Sequence, residues 1–153
     1  MAKPFIDIQE QIEQGISILR KGGLVAYPTD TVYGLGAAMN LPPAVERIYA
    51  VKGRSLRSPL PLLLADMSQI TDVAAVVPPS AWCFIRHFFP GALTLVLPSS
   101  RAVPATVTGG GDTVAVRVPD HPVPVALIKG LGVPIVGTSA NLSGRPSPLT
   151  ADE

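Results

Sequence analysis

A chain of 153 residues, 47% apolar and 15% charged, can bury the core of one domain and is too hydrophobic to be disordered. A formal net charge of +1 excludes a polycation, so any nucleic-acid contact has to come from a local patch. The single cysteine excludes an internal disulfide, no Cys/His metal set exists, and neither a leader-like segment nor a membrane-length apolar run is visible, so a cytoplasmic protein is expected.

Residues 7–21 are predicted to form an amphipathic helix. Asp7 and Glu10 suit a capping box, and Ile8, Ile12, Ile16 and Leu19 form one stripe. Arg20 and Lys21 suit the negative end, Gly22 suits the C′ position, and the stripe is expected to pack on a sheet. Residues 24–27 read as a buried strand that Pro28 ends, having no N–H for a ladder. Pro28-Thr29-Asp30-Thr31-Val32-Tyr33-Gly34-Leu35-Gly36 then brings hydroxyls, a carboxylate and a phenol off that strand end. Such a position is where α/β proteins place ligands, and equally one where Thr and Asp cap their own turns.

Residues 36–39 read as a second extended piece. Pro42 and Pro43 open a helix through about residue 51, with Val45, Ile48 and Tyr49 on its buried side. Arg47, Lys52, Arg54 and Arg57 follow with no acidic residue before position 65, which fits a solvated loop or an anion site. Residues 60–65 read as a strand and 68–77 as a helix stopped by Pro78 and Pro79. Ser80 is expected to cap a helix through residue 89, with Trp82, Ile85 and Phe89 in the core and Cys83 a buried thiol.

Pro90 and Gly91 turn the chain into a strand at 93–97. The loop 98–112 closes at Gly109-Gly110-Gly111, which lacks the spacing and lysine of a P-loop and reads as a hairpin or bend. In the strand 113–118, Arg117 faces opposite to Val116 and Val118, either outward or into a cleft. His121 reads as a turn residue before a helix at 123–130. A last strand, 134–138, releases Ser139-Ala140-Asn141 into the loop 143–148. This mixed order points to an α/β or α+β sheet covered by helices.

The polar clusters therefore sit at strand ends: Thr29 to Thr31, Lys52 to Ser58, and Ser139 to Asn141, with Arg117 a candidate fourth. There is no Ser-His-Asp order, no glycosidase-like carboxylate pair and no metal cage. Cations, hydroxyls and an amide suit the orientation of anionic groups, which supplies most of the catalysis in phosphoryl or nucleotidyl transfer.

Pro28-Thr29-Asp30-Thr31-Val32-Tyr33-Gly34-Leu35, Lys52-Gly53-Arg54 and Ser139-Ala140-Asn141 together carry a resemblance. With Gly91-Ala92-Leu93-Thr94 and Val114-Ala115-Val116-Arg117-Val118-Pro119 between them, the chain resembles the YrdC-type threonylcarbamoyl-AMP synthases from about residue 8 onward. The resemblance implies a YrdC-like twisted mixed sheet flanked by helices, of α/β (α+β) class, with an open cleft at strand ends. It also implies one domain over 1–153, without the strands that relatives usually add after it.

The implied reaction joins L-threonine and bicarbonate to ATP, releases pyrophosphate and gives threonylcarbamoyl-AMP for tRNA modification by partner proteins. By the same resemblance, Thr31 and Arg117 bind threonine. Lys52, Arg54, Ser58, Thr113, Ser139, Asn141 and Ser147 bind ATP, with Lys52 and Arg54 catalytic and Mg²⁺ arriving with the triphosphate. Where relatives often carry a His, this chain has Leu63. The alternatives are a double-stranded RNA or tRNA-binding module using the 47–57 cations, a non-catalytic paralogue, or the related domain of hydrogenase-maturation carbamoyltransferases.

Overall fold

The computed structural model describes residues 7–153. The elements follow as α1 (Ile8–Arg20), β1 (Val25–Tyr27), β2 (Gly34–Ala38), α2 (Pro42–Lys52), β3 (Leu62–Leu63), α3 (Ile70–Val73), α4 (Pro79–Phe88), β4 (Leu95–Pro98), α5 (Ala105–Thr108), β5 (Thr113–Arg117), α6 (Pro122–Leu131) and β6 (Ile135–Ser139). The strands form one sheet in the order β1-β2-β6-β3-β5-β4. Only β3 and β5 run parallel; the other neighbours are antiparallel. The expected mixed sheet flanked by helices is what forms.

Alternation along the strands gives the sheet two unlike faces. Ala37, Leu62, Leu97, Val114, Val116 and Val136 point to one face, where they meet Val45, Ile48 and Tyr49 of α2, Ile70, Val73, Ile85, Phe89 and Val107. On the other face, Tyr27, Leu63 and Ile135 are covered by Leu19 of α1 and by Leu127 and Ile128 of α6. That second cover is partial. Beyond it, Ser139 and Arg117 share the face and are only partly covered, while Gly137 lies under Tyr27 and Leu63, so the fold itself leaves a cleft where these strands end.

Several expectations need correction. The stripe of α1 packs against α6 as well as the sheet, and Ile8, at its first turn, is 56% exposed. Asp7 is the N-cap of α1 but makes no side-chain capping bond. Cys83 is exposed rather than buried, because α4 turns Ala81 and Ile85 inward and Cys83 lies two residues from each, on the outer side. Trp82 is only half-buried, whereas Ile85 and Phe89 join the core as expected.

Ser80 does not cap α4. The helix starts one residue earlier at Pro79, whose missing N–H needs no partner there. The helix expected over 68–77 shrinks to a 3₁₀ turn, Met67–Gln69, and the single turn α3. Asp66 caps that turn by accepting from the Ser68 N–H at 2.7 Å, while Ala74 is already extended and bridges to Ser99 beside β4. Only Leu62–Leu63 of the predicted 60–65 strand joins the ladder on both sides, since Pro59 and Pro61 have no N–H to give. His121 is the expected turn residue: its Nδ1 accepts from the Val123 N–H at 3.2 Å and caps α6. The long connection between the antiparallel pair β4 and β5 includes α5 and turns at Gly109 and Gly110, both with positive φ. Among the described residues no helix is long and apolar enough to cross a membrane.

The Tyr27 ring lies across the glycines of β2. A Cβ on Gly36 would fall 2.8 Å from that ring and 2.9 Å from the Val136 carbonyl oxygen, neither of which is free to move. Gly36→Ala is therefore expected to lower the unfolding free energy by about 1–3 kcal/mol, read from urea denaturation. An unchanged midpoint would contradict this close packing.

Candidate functional site

Four sequence-distant segments line one cavity of about 290 Å³: Thr29 and Thr31 after β1, Arg54 after α2, Arg117 at the end of β5, and Ser139 at the end of β6. The open alternatives in the sequence are resolved residue by residue. Thr29 does the local capping: its hydroxyl donates to the Val32 carbonyl at 2.7 Å and accepts from the Thr31 N–H at 3.1 Å. Thr31 faces the cleft. Arg117 is aimed inward. Its Nε donates to the Gly91 carbonyl at 2.8 Å, its Nη1 to the Thr31 hydroxyl at 3.2 Å, and its Nη2 to Asp30 in an ion pair. The two side chains of that pair are 13% and 18% exposed, so water screens it only partly. A guanidinium has five N–H donors, and these bonds leave two for a ligand.

Gly53 adopts a left-handed conformation with φ of 62°, which ends α2 and turns Arg54 toward the cleft. Arg54 is braced by the Pro59 carbonyl at 2.8 Å and, more loosely, by the Ser58 carbonyl at 3.4 Å. Lys52 is placed differently from a free cleft cation. It is 4% exposed, and its ammonium donates to the carbonyl oxygens of Ser139 and, at 2.8 Å, Asn141. Lys52 thus fixes the backbone of the Ser-x-Asn segment from behind. Burial, and secondarily the Arg54 cation, hold its pKa below the ordinary lysine value. Like charges held this close suit an anion that would offset both.

The other expected residues divide by position. Asn141 and Ser147 line a second hollow of about 750 Å³ that continues from Ala140. The Asn141 amide nitrogen donates to the carbonyls of Leu142 and Arg145, both at 2.9 Å, so what it can offer a ligand is its buried, unpartnered oxygen, an acceptor. The hollow is tied to the first loop by the Tyr33 N–H, which donates to the Pro148 carbonyl at 3.0 Å. Ser58 is half-buried beside Arg54. Thr113 is exposed at the opposite end of β5 from Arg117, on the same face and about 13 Å along the strand. Leu63 lines the cleft, and Thr94, Thr138 and Tyr27 do so as well. Thr94 lay inside the Gly91-to-Thr94 motif and was legible there as a strand-end hydroxyl; Tyr27 and Thr138 carried no polar-cluster signal.

The basic run does not form one surface. Arg47 is exposed and donates to the Gly22 carbonyl at 3.1 Å, Lys52 is buried, Arg54 faces the cleft and Arg57 is exposed. Outside the cleft, Arg47 and Arg57 are the exposed cations of this run. Among the described residues there is no group of three or more His, Cys, Asp or Glu side chains that could hold a metal, and Asp30 is engaged with Arg117. The residues do not fit a resident Mg²⁺.

The α/β domain carries an arginine-lined cleft at its strand ends, a geometry suited to small anionic groups. The profile of the Sua5/YciO/YrdC family, described as telomere recombination, matches residues 17–153, and the chain belongs to this family. A threonylcarbamoyl-AMP synthase of Bacillus subtilis is 46% identical over 97% of this chain, which spans 45% of that relative's length. A threonylcarbamoyl-AMP synthase of Halorhodospira halophila is 43% identical over 88% of the chain and 71% of its own length. The crystal structure of Pyrococcus abyssi Sua5 complexed with L-threonine superposes with a TM-score of 0.90 at 46% identity, covering 93% of this chain and 42% of that one.

Lys52→Met keeps the bulk of the stem and leaves the Asn141 carbonyl without its donor, while the Ser139 carbonyl keeps the Asn141 N–H at 2.9 Å. A loss of about 2 kcal/mol in unfolding free energy is expected at neutral pH. Because the folded pKa lies below the unfolded one, the unfolded chain binds more protons between the two. The Lys52 contribution therefore rises as pH climbs toward the ordinary lysine value. The deficit of the variant should widen from pH 7 to pH 10 in urea titrations; a deficit that narrows would contradict the buried ammonium.

Proposed function

We propose that this cleft makes threonylcarbamoyl-AMP from L-threonine, bicarbonate and ATP, as a threonylcarbamoyl-AMP synthase. The observation that supports it is that Thr31, Arg54, Arg117 and Ser139, separated by up to 108 positions, line one cavity. Its volume, about 290 Å³, suits an amino acid, and the adjoining hollow of about 750 Å³ gives room for a nucleotide. The relative crystallised with L-threonine supports the same assignment.

In this reading the two unused Arg117 donors take the threonine carboxylate, and the Thr31 hydroxyl, already aligned by Arg117, accepts from or donates to the amino acid. The threonine amine and bicarbonate condense with loss of water. An oxygen of the resulting N-carboxylate attacks the α-phosphorus of ATP, the bond to the β-phosphate oxygen breaks, and pyrophosphate leaves. Arg54 offsets the charge of the transferring and leaving phosphates, aided by Ser58 and the Ser139 hydroxyl. Lys52 holds the backbone at Ser139 and Asn141 and so positions the Ser139 hydroxyl and the Asn141 side chain toward the ATP. The Asn141 oxygen, Ser147 and Thr113 fall to the nucleotide. Mg²⁺ would enter as part of the ATP substrate and would supply charge neutralisation to the phosphates. The product passes to tRNA through partner proteins, which accords with a cytoplasmic setting.

Pyrophosphate release from ATP that depends on both L-threonine and bicarbonate tests this reading. Arg54→Ala should lower turnover by about 10²–10³-fold. Arg117→Lys, which keeps the charge and loses the fork, should raise the KM for threonine at least about tenfold while leaving that for ATP within about twofold. Unchanged kinetics in both variants would overturn the assignment.

A further inference from the structure

One polar atom at the floor of the cleft has no partner in the protein. Tyr27 is 1% exposed and lines the cleft, and its phenol oxygen is buried without a hydrogen bond. The ring fills the space over Gly34 and Gly36, and the oxygen reaches Gly137, where an added Cβ would lie 3.0 Å from it. A buried hydroxyl left unpaired costs about 1–3 kcal/mol, and a phenylalanine would fill the same space without that cost. Tyr49, also buried, shows the usual solution: its hydroxyl donates to the Thr106 carbonyl at 2.7 Å. Burial pushes the Tyr27 phenol far above its ordinary value, only partly opposed by the Arg117 cation, so it stays a proton donor throughout the physiological range.

We propose that Tyr27 is a further substrate-binding residue, whose hydroxyl donates a hydrogen bond to a carboxylate-type oxygen held in the cleft beside Arg117. This rests on the reading of the cleft as a site for an amino acid and bicarbonate. The oxygen belongs either to the amino acid carboxylate or to the carboxyl derived from bicarbonate; both are oxyanions that a buried donor next to a guanidinium would select. The glycine floor explains how the ring reaches this position: a side chain at Gly34, Gly36 or Gly137 would displace it.

Titration calorimetry of L-threonine into the wild-type chain and into Tyr27→Phe, in carbonate-free buffer and with saturating bicarbonate, tests the assignment together with the Tm of each protein. Tyr27→Phe should melt at the same temperature or higher, having lost an unpaired buried group, and should bind about tenfold more weakly. Weakening in both buffers assigns the oxygen to the amino acid carboxylate; weakening only with bicarbonate assigns it to the bicarbonate-derived carboxyl. Equal affinities of the two proteins in both buffers overturn the proposal, as does a weakening accompanied by a Tm several degrees lower, which marks a structural role. No binding of L-threonine to the wild-type chain in either buffer overturns the reading of the cleft, and this inference with it.

Discussion

The guanidinium of Arg117 ties the site together. It leaves β5 on the open face of the sheet and reaches three places at once: the Gly91 carbonyl before β4, the Thr31 hydroxyl after β1, and Asp30. Each contact belongs to a loop that has no regular ladder of its own at that point. Without the fork, both loops would lose their common side-chain anchor, although backbone bonds from the Tyr33 N–H to the Pro148 carbonyl and from the Gly91 N–H to the Val118 carbonyl would remain. Arg117 also lines the cavity, and its remaining donors are the ones the proposed carboxylate contact would use. One side chain thus links sheet geometry, loop order and ligand recognition.

That geometry depends in turn on an asymmetry of the sheet. One face is covered by α2 to α5; the other is covered by α1 and α6 only in part, over Tyr27, Leu63 and Ile135. The glycines at 34, 36 and 137 allow Tyr27 to lie flat at the boundary between covered and open regions. Lys52 reinforces the same boundary from the α2 side by gripping the backbone at Ser139 and Asn141. Core and site are therefore continuous: the residues that end the core are the ones that shape the cleft floor.

Much of this was legible in the residues. The prolines at 28, 42 and 43 marked real boundaries, and strand alternation around Arg117 correctly narrowed its direction to two options. The choice between them required the register of β3 and β5, which pairs Leu63 with Arg117 and is a long-range fact. Local signals misled where tertiary pairing competed with helix formation, as at Ala74, which extends to bridge Ser99. Cys83 misled because an apolar neighbourhood in sequence says nothing about which side of a helix is turned inward. The Lys52-Gly53-Arg54 motif suggested two equivalent cations, but the left-handed Gly53 sends them to different tasks, one behind the cleft and one on its wall. The role proposed for Tyr27 had no signal in the sequence, since a tyrosine ending a buried strand looks like core until its hydroxyl is seen to lack a partner.

The central claim is that loops distant in sequence converge to hold an amino acid beside a triphosphate. A crystal structure of the chain with L-threonine and a non-hydrolysable ATP analogue tests it most directly. The account predicts the threonine carboxylate on Arg117 next to Thr31, with the phosphates at Arg54 and Ser139 and the base toward the Asn141 hollow. Nucleotide bound on another face, or threonine away from Arg117, would contradict it.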